Sequence, residues 1–213
     1  MESQDELLRQ AEVAHGHLCA GQVLGVRMAM LGCRRLGLSD PRGGDRKRLV
    51  TWIEIDRCAT DAIGVVTGCR LGKRALKFRD WGKMAATFAD LQTGRAIRIV
   101  ALESSKDRAR QLYPHIENKN QQQMQAYREM NDADLFAEQW VEVSVEAREM
   151  PGYKGERVAC DECGEGINYD RFVEREGQRL CLSCAHPEQR YYRPAEHSDE
   201  QAADAPGPER ACA

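Results

Sequence analysis

Two cysteine pairs, Cys160-x-x-Cys163 and, seventeen residues on, Cys181-x-x-Cys184, constrain this chain more than any other feature. A Cys-x-x-Cys step makes a tight turn that aims two sulfurs at one point, and two such turns supply the four thiolates of a tetrahedral zinc site. With every position taken by protein, such a site is closed, so its role is structural. The surrounding stretch of about 30 residues is too small to fold on an apolar core alone. Metal binding must therefore supply much of its stability.

The rest of the chain is organised around that finger. Pro151-Gly152-Tyr153 marks a boundary, so residues 1–150 are expected to form an α+β core domain and 151–190 a small zinc-ribbon-like finger. Beyond, the composition turns to Pro, Ala, Asp and Glu, and residues 191–213 are expected to be a disordered tail in which Cys212 is incidental. The opening Met1-Glu2-Ser3-Gln4-Asp5-Glu6 is acidic and unlike a secretory signal. No run approaches the ~20 apolar residues of a membrane span. The expectation is a cytoplasmic protein away from membranes, whose nine cysteines serve as ligands or reactive thiols rather than disulfides. A net charge of −3 gives no global basic field for nucleic acid. In the finger, Arg157, Arg171, Arg175 and Arg179 are offset by Asp161, Glu162, Glu165, Asp170, Glu174 and Glu176.

Chemistry in the core is expected at His15-Gly16-His17-Leu18-Cys19, directly before an apolar stretch from Gly21 to Gly37. Apolar residues cover nearly the whole circumference of that stretch, which predicts a buried central helix. A helix starting near Cys19 points free N–H groups and its positive dipole end at the thiol, favouring the thiolate. Imidazole and thiolate are the ligands that borderline metals prefer. A short helix is expected before this stretch. After it, a strand is expected over 49–55, a helix from Cys58 to Thr67 ended by Gly68, and an antiparallel meander over 75–102 turning at Thr93-Gly94. Residues 104–137 read as an exposed helical pair suited to a dimer contact, and Val141, Val143 and Val145 as a half-buried last strand.

A candidate core metal site gathers His15, His17, Cys19, Cys58 and Cys69, and Asp61 stands near in sequence but reads as a helix cap. Cys33, inside the apolar helix, reads as core. Lys73, beside Gly72, and Lys83, in Asp80-Trp81-Gly82-Lys83, are candidate contacts for an anionic cofactor or substrate.

His-Gly-His-x-Cys-x-Gly followed by Gly25-Val26-Arg27-Met28 resembles the opening of the formylmethanofuran dehydrogenase E-subunit family. So do Cys58, Asp61-Ala62-Ile63, Thr67-Gly68-Cys69, Gly72-Lys73, Asp80 and Gly82-Lys83, and the finger is similar to the one many members carry. Ala20 stands where that family often has Pro. The fold expected is α+β with an antiparallel or mixed sheet and a buried N-terminal helix, and the resemblance implies such an α+β core, dimerisation through helices, a zinc finger, and a site at the His-x-His-x-Cys segment with the later cysteines. The reading that follows is a metal-binding accessory or redox-associated protein acting beside a molybdenum or tungsten oxidoreductase. An independent enzyme using Cys19 as nucleophile or metal-bound thiolate with His17 as base or ligand is a second reading. A dimeric regulatory module whose finger meets nucleic acid or a polymerase is a third.

Overall fold

The computed structural model describes residues 1–194 and divides them into two compact units, Met1–Tyr153 and a second beginning at Lys154. Most of the expected disordered tail, Cys212 included, lies outside the described residues.

Helix α1 (Gln4–His15) starts where the Ser3 hydroxyl accepts the Glu6 N–H, and it stops at Gly16, whose φ of 97° suits glycine best. Helix α2 (Ala20–Leu36) begins behind Cys19 and ends at Gly37. Its Val23, Val26, Met28, Ala29 and Leu31 are fully buried, so it is the central helix its all-round apolarity predicts. Two glycines let it sit that deep. A Cβ at Gly25 would lie 2.4 Å from Ala59 O, and one at Gly32 would lie 2.4 Å from the Phe88 ring. Backbone therefore meets backbone where α2 crosses α3 (Cys58–Thr67).

Strands β1 (Leu49–Ile53), β2 (Leu76–Phe78), β3 (Ala85–Asp90), β4 (Ala96–Ala101) and β5 (Phe136–Val141) form one sheet in the order β2-β1-β3-β4-β5. β1 and β2 run parallel and every other pair is antiparallel, so the sheet is mixed. Register places Thr51 beside Phe88, Phe88 beside Ile97, and Ile53 beside Ala86 beside Ile99, and Phe88, Ala86, Ile97 and Ile99 are all buried in the core that holds α2. The opposite face carries a buried ion pair, Arg98 reaching both carboxylate oxygens of Glu54 at 2.7 Å.

Three expectations change here. The segment 76–78 leaves the antiparallel meander expected over 75–102, since β2 pairs in parallel with β1 and has no ladder with β3. The helical region divides into α4 (Ser104–Leu112), α5 (Lys119–Glu129) and α6 (Asp132–Leu135), whose Ala109, Gln122, Ala126, Tyr127 and Leu135 are buried within the chain's own core. The last strand starts earlier than the valine alternation suggests and ends at Val141. Its ladder partner β4 runs out there, Ala96 being the residue opposite Val141. Val143 and Val145 keep their half-buried alternation without a ladder. The segment that carries them leads away from the β5 edge to the far edge of the sheet, where Lys77 of β2 donates to the Glu149 carbonyl.

The second unit is built from two hairpins, β6 (Arg157–Ala159) with β7 (Gly166–Asn168) and β8 (Val173–Arg175) with β9 (Gln178–Leu180), followed by the short helix α7 (Leu182–Ala185). Among the described residues its buried apolar centre is Ile167, Leu180 and Ala185 with Cys160 and Cys184, and Val158, Phe172, Val173 and Cys181 pack against it partly buried. Among the described residues no helix is long and apolar enough to cross a membrane.

Candidate metal centres

In the second unit the first cysteine pair lies on the turn between β6 and β7, and the second pair lies at the start and end of the first turn of α7. All four sulfurs lie within 4.8 Å of one another, and Cys163 Sγ is 3.9 Å from Cys181 Sγ. A zinc tetrahedron with Zn–S of about 2.3 Å has sulfur–sulfur edges of about 3.8 Å. The donor set fits zinc. Backbone N–H groups of Cys163 and Cys181 point at Cys160 and lower its pKa to about 6, so this ligand is a thiolate at neutral pH. Arg190 adds a contact to Cys184 Sγ at 3.6 Å. These cysteines fit the ligand set of a structural zinc site.

A second group forms at the corner between α1 and α2. His15 is the last residue of α1, Gly16 turns the chain, and Cys19 caps α2 in extended conformation. That short turn brings one ligand atom each from His15, His17 and Cys19 within 4.8 Å of one another. The two imidazole rings lie 4.9 Å apart between centroids, tilted by 47°. Asp61, in the first turn of α3, holds His15: its Oδ2 lies 2.8 Å from His15 Nδ1. With Nδ1–H engaged by a carboxylate, Nε2 keeps the free lone pair, the arrangement that orients metal-binding histidines. Two imidazoles and one thiolate from protein leave a fourth tetrahedral position free for another ligand.

Of the other candidates, Cys58 opens α3, and burial, then the nearby Cys19 thiol, raise its pKa. It stands outside the triangle of the other three. Cys69 is not brought to this corner. It follows the far end of α3, buried, with its sulfur 3.6 Å from both Thr51 Oγ1 and Leu49 O. Three turns of α3 separate it from Cys58, because Gly68 ends the helix only after ten residues. Cys33 is fully buried, and desolvation pushes its pKa up to about 12, in keeping with a core thiol. Lys73 ends a 3-10 turn at Leu71–Lys73 near Cys69, and Lys83 is exposed beside the Trp81 ring at 5.9 Å.

Asp61 is a partner of His15 rather than a cap, since the N-cap of α3 is Arg57, which makes no side-chain capping bond. One residue here has no signal in the sequence. Asn120 of α5 accepts the Ala20 N–H at 3.0 Å, satisfying the first turn of α2, whose own cap Cys19 makes no such bond. It sits in a polar run a hundred residues away, where nothing local distinguishes it.

Comparison with known proteins agrees with this division. Residues 14–151 match the family model described as FmdE, molybdenum formylmethanofuran dehydrogenase operon, and residues 153–190 match the prokaryotic dksA/traR C4-type zinc finger. A probable S-adenosyl-L-methionine-binding protein of Archaeoglobus fulgidus is 28% identical over 198 residues, which are 84% of this chain and 52% of that protein. The chain thus spans about half the length of that curated relative. The fold is shared with the crystal structure of a tungsten formylmethanofuran dehydrogenase FmdE-like protein from Syntrophus aciditrophicus, with a TM-score of 0.61 and 22% identity over 89% of this chain and 95% of the other. The chain belongs to the FmdE family and carries a C4-type zinc finger that follows its core in the sequence.

Proposed function

We propose that this protein is a metal-binding accessory protein with two sites of different kinds: a closed structural zinc in the finger and an open site at the α1–α2 corner held by His15, His17 and Cys19. The observation that carries the reading is the convergence of those three ligand atoms within 4.8 Å, with His15 already oriented by Asp61. A divalent metal there would supply a Lewis-acidic centre with an exchangeable position. The chain's own part is to fix two imidazoles and one sulfur ligand at the corner where α1 ends and α2 begins. Such a site suits delivery, carriage or ligand exchange beside a larger redox enzyme. The operon named in the family's description supports a molybdenum- or tungsten-dependent oxidoreductase as that partner. We read the working form as a cytoplasmic homodimer, with the outer faces of α4 and α5, where Leu112 is exposed, as the contact. Lys73 and Lys83, both exposed, are the lysines we read as contacts for an anionic group.

A second reading makes the protein an enzyme in its own right, with Cys19 as nucleophile and His17 as base; the same corner supports it, since His17 is exposed and within reach of the thiol. A nucleic-acid role for the finger has less support. Arg179 is paired with Glu156 and Glu174, Arg175 donates to the Ala185 carbonyl, and Arg190 to the Ser183 carbonyl, so these guanidinium groups are spent inside the unit.

The test is metal content per chain by elemental mass spectrometry, on the wild type and on Cys19→Ala. The expected result is about two metals per chain falling to about one in the variant, with zinc retained in the finger. One zinc per chain in both proteins would end the open-site reading and favour the metal-free nucleophile.

A further inference from the structure

We propose that Cys19 and Cys58 are a redox pair: a small oxidant joins them in a reversible disulfide that withdraws Cys19 from the corner where His15 and His17 converge. The consequence for metal rests on the open-site reading above, but the bond itself does not.

The geometry begins with Gly21. A Cβ at that position would lie 3.4 Å from Cys58 Cβ and 3.7 Å from Cys19 Sγ, so the Cys58 Cβ and the Cys19 sulfur flank the space that this missing side chain leaves. The two thiols are near enough to interact. Each sits where a helix begins, Cys19 as the extended cap of α2 and Cys58 as the first residue of α3. The backbone approach of α2 to α3 at Gly25 and Ala59, one turn further along α2, fixes these two helix starts side by side. Cys58 touches one member of the His15–His17–Cys19 group without joining it, which is the position of a resolving thiol rather than a fourth ligand.

Accessibility selects the same pair. Cys33 and Cys69 are 0% and 2% exposed, sealed in the core. The finger sulfurs form a closed zinc site. Among the described residues, Cys19 and Cys58 are the half-buried core thiols that an aqueous oxidant reaches.

With hydrogen peroxide as the oxidant the step balances. The Cys19 sulfur attacks one peroxide oxygen, the O–O bond breaks, and the product is Cys19 sulfenic acid with one water. The Cys58 sulfur then attacks the Cys19 sulfur, the S–O bond breaks, and the hydroxyl leaves with the Cys58 proton as a second water. Two thiols lose two electrons in all, and peroxide takes them. A dithiol reductant reverses the bond by thiol–disulfide exchange.

The experiment uses the full-length protein. It is treated with equimolar hydrogen peroxide, its free thiols are alkylated, and it is digested with trypsin without reductant for mass spectrometry. Cleavage after Arg57 and Arg70 leaves Cys58 and Cys69 on one peptide, so fragmentation must place the link. The expected result is a Cys19–Cys58 cross-link in most chains, lost on adding dithiothreitol. In Cys58→Ser, which keeps the shape of the side chain, the link is absent and Cys19 reacts instead with a sulfenic-acid reagent. Independent alkylation of both thiols after peroxide, or a link from Cys19 to any other cysteine, overturns the proposal. A parallel arm preloads zinc. Slowing of the link several-fold supports Cys19 as a ligand, and a link that forms at the same rate counts against the metal site alone.

Discussion

His15 Nδ1 and Asp61 Oδ2 lie 2.8 Å apart, tying the last residue of α1 to the first turn of α3. Because the bond engages Nδ1, it leaves Nε2 as the nitrogen free to ligate. Removing the partner of a ligating histidine typically costs about 10–100-fold in metal affinity. Asp61→Ala should therefore weaken binding at the corner by that range while finger zinc stays at wild-type occupancy. The Asp61 side chain is more than half exposed, so the fold should persist. Competition against a chromophoric chelator measures the affinity, and an unchanged value would remove Asp61 from the site.

Much of this arrangement was legible in the sequence, for identifiable reasons. The helix from Ala20 to Leu36 announces itself by apolarity on every side and by Gly37 at its end, and the finger by cysteine spacing. His15, His17 and Cys19 come together because a single turn at Gly16 joins them, so their proximity is nearly local. Cys69 shows the opposite case. Its place depends on the length and direction of α3, and spacing along the chain carries no information about the far end of a helix. The strand ending at Val141 was hidden because ladder pairing, decided by where β4 stops, overrides the alternation of Val143 and Val145. Asn120 and its bond to the Ala20 N–H were invisible, since that contact exists only once α5 has packed on α2.

The finger's dependence on zinc follows from how little else it has. Ile167, Leu180 and Ala185 are its buried apolar residues besides the cysteines, while the core unit has a large apolar cluster of its own. A strong chelator should unfold residues 154–190 and leave Met1–Tyr153 folded. Limited trypsin digestion reads this as rapid cleavage after Arg171, Arg175 and Arg179 only when zinc is removed. Equal resistance with and without zinc would mean that the finger is held by something other than metal.

Gly25 tests the crossing of α2 and α3. In an exposed helix, Gly→Ala gains roughly 1 kcal/mol from propensity. Here the added methyl would sit 2.4 Å from Ala59 O and 2.8 Å from Ala59 Cα, against backbone that cannot rotate away. Overpacking of this kind costs about 1–3 kcal/mol and more when backbone must shift. The clash should win, so Gly25→Ala is expected to lower the urea midpoint. Gly72→Ala, with nothing within 4 Å of its Cβ position, serves as the control of near-zero effect. A Gly25 variant at least as stable as wild type would mean that the helices do not approach this closely.

Asp90 sets the acid side of the stability profile. Its side chain is fully buried, which pushes its pKa up, but hydrogen bonds from Arg48 at 3.1 and 2.7 Å, the Thr93 hydroxyl at 2.8 Å and the Gln92 N–H at 3.0 Å outweigh burial and hold it below the ordinary carboxylate value. A carboxylate whose pKa is depressed by folding stabilises the native state above its unfolded pKa of about 3.9. That contribution is lost as pH falls through the lower, folded pKa. Asp90→Asn keeps the shape but gives up the charge, and it should cost about 2 kcal/mol at pH 7. Arg48 keeps Asp45 at 2.9 Å and some solvent, which limits the loss. The gap between wild type and variant should then narrow below about pH 4, because protonation removes from the wild type what the substitution already removed. Urea midpoints from pH 7 down to the acid limit of folding measure both curves, and a gap that stays constant over that range would mean that the Asp90 charge contributes nothing to stability.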